Sequence, residues 1–205
     1  MSLAARLTVM PESSPRLLSP RLDSIDRLRG LVMVIMALDH ARDFFHESAF
    51  SFDPTDLGRT TPALFLTRWV THFCAPVFVF LSGASACLSL TRGRTKAALT
   101  RFLLSRGLLL IVLDPTVIRF SWFWDGNWTF TYGQVIWVLG WSMVILAGLI
   151  HLPRWALSLF AVVTIAGHNL LDGIQPDQFG RWGFVWNFLH VFGIAQPIEG
   201  FQFFV

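Results

Sequence analysis

The sequence predicts an all-α, polytopic transmembrane helix bundle of about five to six spans, and three observations carry that prediction. Of its 205 residues 54% are hydrophobic, with 20 Phe and 9 Trp, and only 14% are charged, against roughly 25% in ordinary soluble domains. A soluble fold of this size could not hide so much apolar surface. The apolar residues come in long runs parted by short basic clusters. Those clusters divide unevenly between alternate connections, which is the pattern that orients membrane proteins.

The formal net charge of +3 and the pI near 9.5 do not point to nucleic acid, because the basic residues form short clusters and no single interleaved surface. Cys74 and Cys87 are thirteen residues apart, about 20 Å along a helix, too far to bridge each other. Residues 1–30 carry charges and prolines where a cleavable signal would need an apolar stretch. Residues 1–22 are therefore expected to be a flexible cytoplasmic leader, and 23–205 a transmembrane domain.

Asp23-Ser24-Ile25-Asp26 reads as a helix start ahead of the apolar run Leu31 to Leu38. That run is too short to span alone, so helix 1 must include the polar turns with Arg27 and Arg29 at one end and Asp39, His40, Arg42 and Asp43 at the other. Helix 2 is expected over about residues 66–90, kinked at Pro76, with the small residues Ser82 to Ala86 suited to close packing. Helix 3 is expected over about 102–120, interrupted at Asp114-Pro115, and is followed by a Trp-rich interfacial loop. Helix 4 is expected at 133–150 and helix 5 at 155–171, with an interfacial or partial sixth span in 182–205. The end at Phe203-Phe-Val205, with no polar tail, reads as a C-terminally incomplete domain.

Eleven Lys and Arg fall on the side of the amino-terminal tail and five on the other, so the amino terminus is expected in the cytoplasm. Asp39, His40, His46, His72, Asp114, Arg119, Gln134, His168, Asn169 and Asp172 then all lie towards the outer face. On helix 1, Asp26, Arg29, Met33, Met36, His40 and Asp43 share one stripe, and ionisable groups at membrane depth usually face a bundle interior or a water-filled cavity. Asp39 and His40 point about 100° apart, so Asp43 or Asp114 is the better geometric partner for His40.

A histidine here can take a proton from an amine or hydroxyl or carry an acyl group, with a nearby acid orienting it. The competing reading is that histidines at helix ends merely reach the interface; it applies most to His151 and His190. Trp122, Trp124 and Trp128 read either as an aromatic belt or as a glycan-stacking platform. Arg92 to Arg106 can attract the phosphates of a cytoplasmic donor or simply anchor the topology. No spacing matches a metal motif, so no metal is expected.

Arg21-Leu-Asp-Ser-Ile-Asp26-Arg-Leu-Arg29-Gly30 with Asp39-His40-Ala-Arg42-Asp43, Cys74-Ala-Pro76 to Gly83, Gln134 to Gly140, and Ala166-Gly-His168-Asn169-Leu-Leu-Asp172 together resemble bacterial membrane proteins related to the heparan-α-glucosaminide N-acetyltransferase catalytic domain. The resemblance implies a multi-pass enzyme of the bacterial inner membrane. It would move an acetyl or other acyl group from cytoplasmic acyl-CoA to an amino sugar or glycan outside. It implies an external histidine in the active site, matched best by His40, with His46 as the rival. Asp39 and Asp43 would support that histidine; Arg29, Asp114, Gln134, His168, Asn169 and Asp172 would contact substrates. The expected partners are the bilayer, acyl-CoA and a sugar acceptor, and a homo-oligomer is compatible with this. A proton-coupled transporter would use the same ionisable stripe, but no inverted repeat is found; a non-catalytic membrane module is the third reading.

Overall fold

The structure, a computed structural model, describes residues 23–47, 51–126, 128–191, 193–198 and 200–204. The expected leader at 1–22 lies outside the described residues. Helix α1, Asp23–Phe45, has Asp23 and Asp26 in its first turn and Arg42 in its last, both favourable against the helix dipole. A loop built on carboxylate turns comes next. Asp53 accepts the Thr55 N–H and hydroxyl, each at 2.8 Å, and these bonds hold its carboxyl below the usual carboxylate range.

Helix α2, Pro62–Thr71, opens with Pro at its first position and Thr61 accepting the Leu64 N–H. It leads at once into α3, Cys74–Thr91. Pro76 has no N–H to return to the carbonyl of His72, and the backbone steps at His72-Phe73, one turn before the proline. The two form one 30-residue run, Pro62–Thr91.

Thr95 caps α4, Lys96–Leu113, by accepting the Ala98 N–H at 3.2 Å, so this helix starts six residues earlier than the hydropathy pattern suggests. The interruption expected at Asp114-Pro115 is a widened π-helical turn, Asp114–Ile118, after which α5, Arg119–Phe123, continues the path. Pro115 cannot donate to the preceding turn, and the wider turn absorbs the missing bond.

Beyond strand β1, Phe130–Tyr132, helix α6 spans Val135–Leu149. Helix α7, Arg154–Gly167, continues as a 3-10 turn, His168–Leu171. A 3-10 segment at Pro176–Trp182, helix α8 at Gly183–Leu189 and strands β2, Ile194–Ile198, and β3, Phe201–Phe204, complete the order.

Two expectations change here. For 182–205, expected as interfacial or as a partial sixth span, the described residues hold no spanning helix: α8 has 7 residues, about 10 Å of helix, and β2 and β3 follow it. The fold is mostly helical without being all-α, because β3 pairs in parallel with β1 and antiparallel with β2. The aromatic residues of 201–204 suit a pleated, half-buried surface. Among the described residues two helices are long and apolar enough to cross a membrane, Pro62–Thr91 and Arg154–Leu171. The other expected spans carry charged turns or, like α6 with 15 residues, are short.

The tightest packing is between α4 and α6. A Cβ on Gly107 would lie 2.7 Å from the Gly140 carbonyl oxygen, and one on Gly140 would lie 2.8 Å from that of Gly107. Backbone meets backbone there, as small residues allow in membrane helix pairs. One side of this contact is filled by Ala86, Leu99, Leu103, Ala147 and Ile150. On the other side Trp137 and Phe203 pack with Ile111, Phe184 and Phe188, which ties the sheet and α8 to the helices. Helix α7 has no buried residue, and Val162, Val163 and Ile165 are each at least 60% exposed. A helix apolar on all sides and uncovered belongs in apolar surroundings.

The close approach predicts that Gly107→Ala destabilises the protein by about 1–3 kcal/mol through overpacking. Gly148→Ala on the same α6, where nothing lies within 4 Å, should be neutral or slightly stabilising. Thermal denaturation in detergent checks the pair, and equal effects at the two positions would refute a backbone contact.

Candidate active site

The last turns of α1 hold an ion cluster. Thr71 Oγ1 donates to Asp39 Oδ1 at 2.8 Å and Arg68 Nη1 to Asp39 Oδ2 at 3.1 Å, so α2 grips this carboxylate with two donors. Arg42 Nη2 donates to Asp43 Oδ1 at 2.8 Å. Arg42 Nη1 also lies 2.8 Å from Asp39 Oδ1, yet it makes no well-aligned hydrogen bond. That contact is charge attraction without direction. Two carboxylates and two guanidiniums leave no net charge, and the side chains are mostly shielded, so losing one partner costs more than at a fully exposed pair.

His40 points elsewhere. Its ring meets Trp122 of α5 at a centroid distance of 5.7 Å, and Phe44, one turn on, stacks on the same indole at 4.7 Å. The expectation that Asp43 or Asp114 partners His40 is corrected: Asp43 is engaged by Arg42, and Asp114 faces α6. Among the described residues the His40 imidazole makes no hydrogen bond, and the residue is exposed. The packed face of α1 overlaps the expected stripe only in part, at the half-buried Arg29, Met36 and Asp43. Val32 is its one buried residue, Asp39, Arg42 and Asp43 are half-buried, and Met33 is 58% exposed. His46 comes just after the helix end, exposed, with its N–H bonded to the Arg42 carbonyl at 2.9 Å.

Asp114 and Gln134 meet as cap and helix start. Asp114 is 1% exposed, and its Oδ2 accepts the Gln134 N–H at 2.7 Å. Gln134 supplies no side-chain cap of its own, so a carboxylate from the π turn satisfies one of the open N–H groups that begin α6. Asp114 Oδ1 makes no well-aligned hydrogen bond among the described residues, although the Trp137 N–H is a second backbone donor to the carboxylate. A void of about 10 Å³ lies beside Asp114, Arg119, Trp122, Tyr132 and Gln134, room for about one water.

Arg119, not assigned a role from the sequence, organises the cap over this site. It is 2% exposed. Nε donates to the Phe130 carbonyl at 2.9 Å and Nη1 to Asp125 Oδ1 at 2.7 Å, while the guanidinium lies 4.9 Å from the Trp128 ring centroid and 5.0 Å from that of Phe130. A planar cation among rings and fixed acceptors is held by both kinds of contact. Trp128 thereby lies over the guanidinium while staying 47% exposed, Trp122 of α5 is half-buried, and Trp124 is 76% exposed.

His168 and Asp172 form a second cluster around His190, a histidine that from sequence reads as interfacial. His190 Nε2 lies 3.0 Å from Asp172 Oδ1, its ring centroid 4.4 Å from that of His168 and 5.1 Å from Trp186. Only 4% of the His190 side chain is exposed, against 64% for Asp172. The carboxylate fixes which ring nitrogen carries the proton. Eighteen residues separate the pair, so no local spacing signals it; the return of α8 beside the 3-10 turn does. Asn169 is exposed in that turn. Arg29, at the far end of α1, donates to Ser85 Oγ of α3 and lies 3.5 Å from Asp26.

The structure thus joins α1, α2, α5 and α6 at one level through Asp39, His40, Trp122, Asp114 and Gln134, and holds the His168 cluster as a separate group of contacts. Such features define a mostly helical chain with apolar helices of membrane-spanning length and a polar level at the helix ends. The chain belongs to the family described as heparan-alpha-glucosaminide N-acetyltransferase, catalytic, which matches residues 21–199. Membership implies a transferase of the acetyltransferase-like, membrane-associated kind. No curated protein and no solved structure matches the chain.

Arg119→Met should cost about 1–3 kcal/mol, since it leaves the Phe130 carbonyl without its donor while the partly exposed Asp125 turns to solvent, and Arg119→Lys should recover part of that loss. Thermal denaturation with Trp fluorescence measures both. Full recovery by Lys would show that charge alone, without the planar donor fork, holds the loop.

Proposed function

We propose that the chain moves an acyl group across the bilayer, from acyl-CoA on the amino-terminal, cytoplasmic side to an amino sugar or glycan hydroxyl outside, with His40 as the reacting imidazole. The observation that carries the proposal is the separation of Asp39 from His40 at the end of α1. The carboxylate is locked by Arg68 and Thr71, while the imidazole, free of carboxylate partners among the described residues and exposed, rests on Trp122. Family membership supplies the reaction class.

Two routes use the same ring. As a general base, His40 takes the proton of the acceptor amine or hydroxyl while its nitrogen or oxygen attacks the thioester carbonyl; the new C–N or C–O bond forms, the C–S bond breaks, and the thiolate leaves. As an acyl carrier, the ring nitrogen attacks first and releases the thiolate, and the acceptor then displaces the imidazole. In both, the Asp39 and Asp43 cluster steadies the α1 terminus from which His40 projects. His46, six residues on and just past the helix end, is the rival histidine whose variant is compared with that of His40. Arg29 serves the donor at the other end, and His168, Asn169 and Asp172 serve the acceptor.

His40→Ala should lower transfer by about 10²–10⁴-fold with unchanged folding, and His46→Ala by less than about tenfold, the smaller loss expected of a group outside the proton transfer. Rapid-quench measurement of thiol release distinguishes the routes, because a burst before turnover marks the acyl carrier. Full activity in both single variants would remove histidine chemistry at this end of α1.

A further inference from the structure

Helix α4 packs on α6 and α3 through Leu99, Leu103 and Gly107, its buried residues. Phe102 and Arg106 each stand one residue before a member of that set, so they are turned about 100° from the packed face, and both are exposed. The Arg106 guanidinium lies 5.9 Å from the centroid of the Phe102 ring. Arg94 reaches the same ring, at 4.6 Å, from the turn that precedes α4. Gly93, with φ +87° in the left-handed region that favours glycine, makes that turn possible.

Two cations thus share one aromatic ring. The ring attracts each guanidinium through its quadrupole, but the guanidiniums repel each other. From Leu57 to Leu113 the sequence contains no Asp or Glu, and among the described residues neither guanidinium makes an ion pair or a hydrogen bond. Further along α4, Leu109 and Val112 are exposed as well, three residues apart and so neighbours on the helix surface. Uncovered apolar surface therefore follows directly on the pair of cations. From Phe102 to Val112 the helix advances ten residues, about 15 Å, which is half of the roughly 30 Å hydrocarbon thickness and so the depth of one leaflet.

We propose that this side of α4 holds one anionic phospholipid, its phosphate bridging Arg94 and Arg106 at the Phe102 ring and an acyl chain lying along Leu109 and Val112. Arginine keeps its charge and presents a planar fork that matches phosphate oxygens in pairs, and a phosphate between the two guanidiniums offsets their repulsion. Orientation in a bilayer needs only an excess of cations on one side; it does not call for two of them on one ring with bare leucine and valine beyond. A soluble phosphate would use the cations and leave those apolar turns uncovered. The assignment rests on the chain lying in a bilayer and is independent of whether His40 reacts.

The test uses the full chain in maltoside detergent, titrated with dioctanoyl phosphatidylglycerol and, in parallel, with dioctanoyl phosphatidylcholine, the bound lipid being counted by native mass spectrometry. Retention of one phosphatidylglycerol in preference to phosphatidylcholine is expected, weakened about ten- to a hundredfold by Arg106→Gln, the loss of one charge-assisted contact. Arg101 is an equally exposed cation on another side of α4, and Arg101→Gln should bind like the parent. Both variants change exposed side chains and should melt with the parent. Glycerol 3-phosphate, the same ester without acyl chains, should not displace the lipid at equal concentration. Equal retention of the two lipids, or equal weakening by Arg106→Gln and Arg101→Gln, overturns the site. Displacement by glycerol 3-phosphate at equal concentration overturns the lipid as its occupant.

Discussion

The contact between α4 and α6 sets the geometry of the rest of the molecule. Gly107 and Gly140 let two backbones meet, and past that crossing α4 widens into the π turn that aims Asp114 at the open start of α6. One helix therefore both packs against its neighbour and caps it. Because the π turn runs directly into α5, the same crossing also fixes where Arg119 and Trp122 project. Trp122 in turn supplies the surface on which His40 and Phe44 rest. A disturbance at the glycines would reach the candidate active site through this chain of contacts without touching a reactive group.

Electrostatics divides the molecule into ends of different character. Around Asp39 the charges balance, with two acids and two arginines tied together by short contacts. Such a neutralised cluster tolerates partial burial and holds α1 against α2. At the other end of α1, Arg29 bridges to Ser85 of α3 beside Asp26. Between them α1 presents Val32 to the Cys74 thiol, which lies 3.7 Å from the Val32 carbonyl. Apolar packing separates the balanced Asp39 cluster from the Arg29 end of the helix.

Hydropathy made the long helices legible. The expected 66–90 and 155–171 spans agree closely with the helical runs Pro62–Thr91 and Arg154–Leu171, because an apolar run of membrane length has few alternatives. The 100° separation of Asp39 and His40 was legible too, since it depends only on helix geometry. What composition could not disclose depends on distant partners. Strand β3 is strand because β1 lies beside it, and its four residues carry no period long enough to read. The role of Asp114 required knowing that α6 begins at its carboxylate. His190 resembles an interfacial histidine until α8 returns it to Asp172. The family motifs gave the reaction class; the partners that Asp39 and His40 take, Arg68 and Thr71 for the one and Trp122 for the other, came only from the fold.

The central claim is vectorial transfer through the polar end that His40 occupies. It is tested most directly in sealed vesicles with the amino terminus facing out, with labelled acetyl-CoA added outside and an amino-sugar acceptor trapped within. Labelled, acylated acceptor accumulating inside, and absent when the acceptor alone is moved to the donor side, is the predicted result. Product formed only when donor and acceptor share one side would contradict transfer across the bilayer.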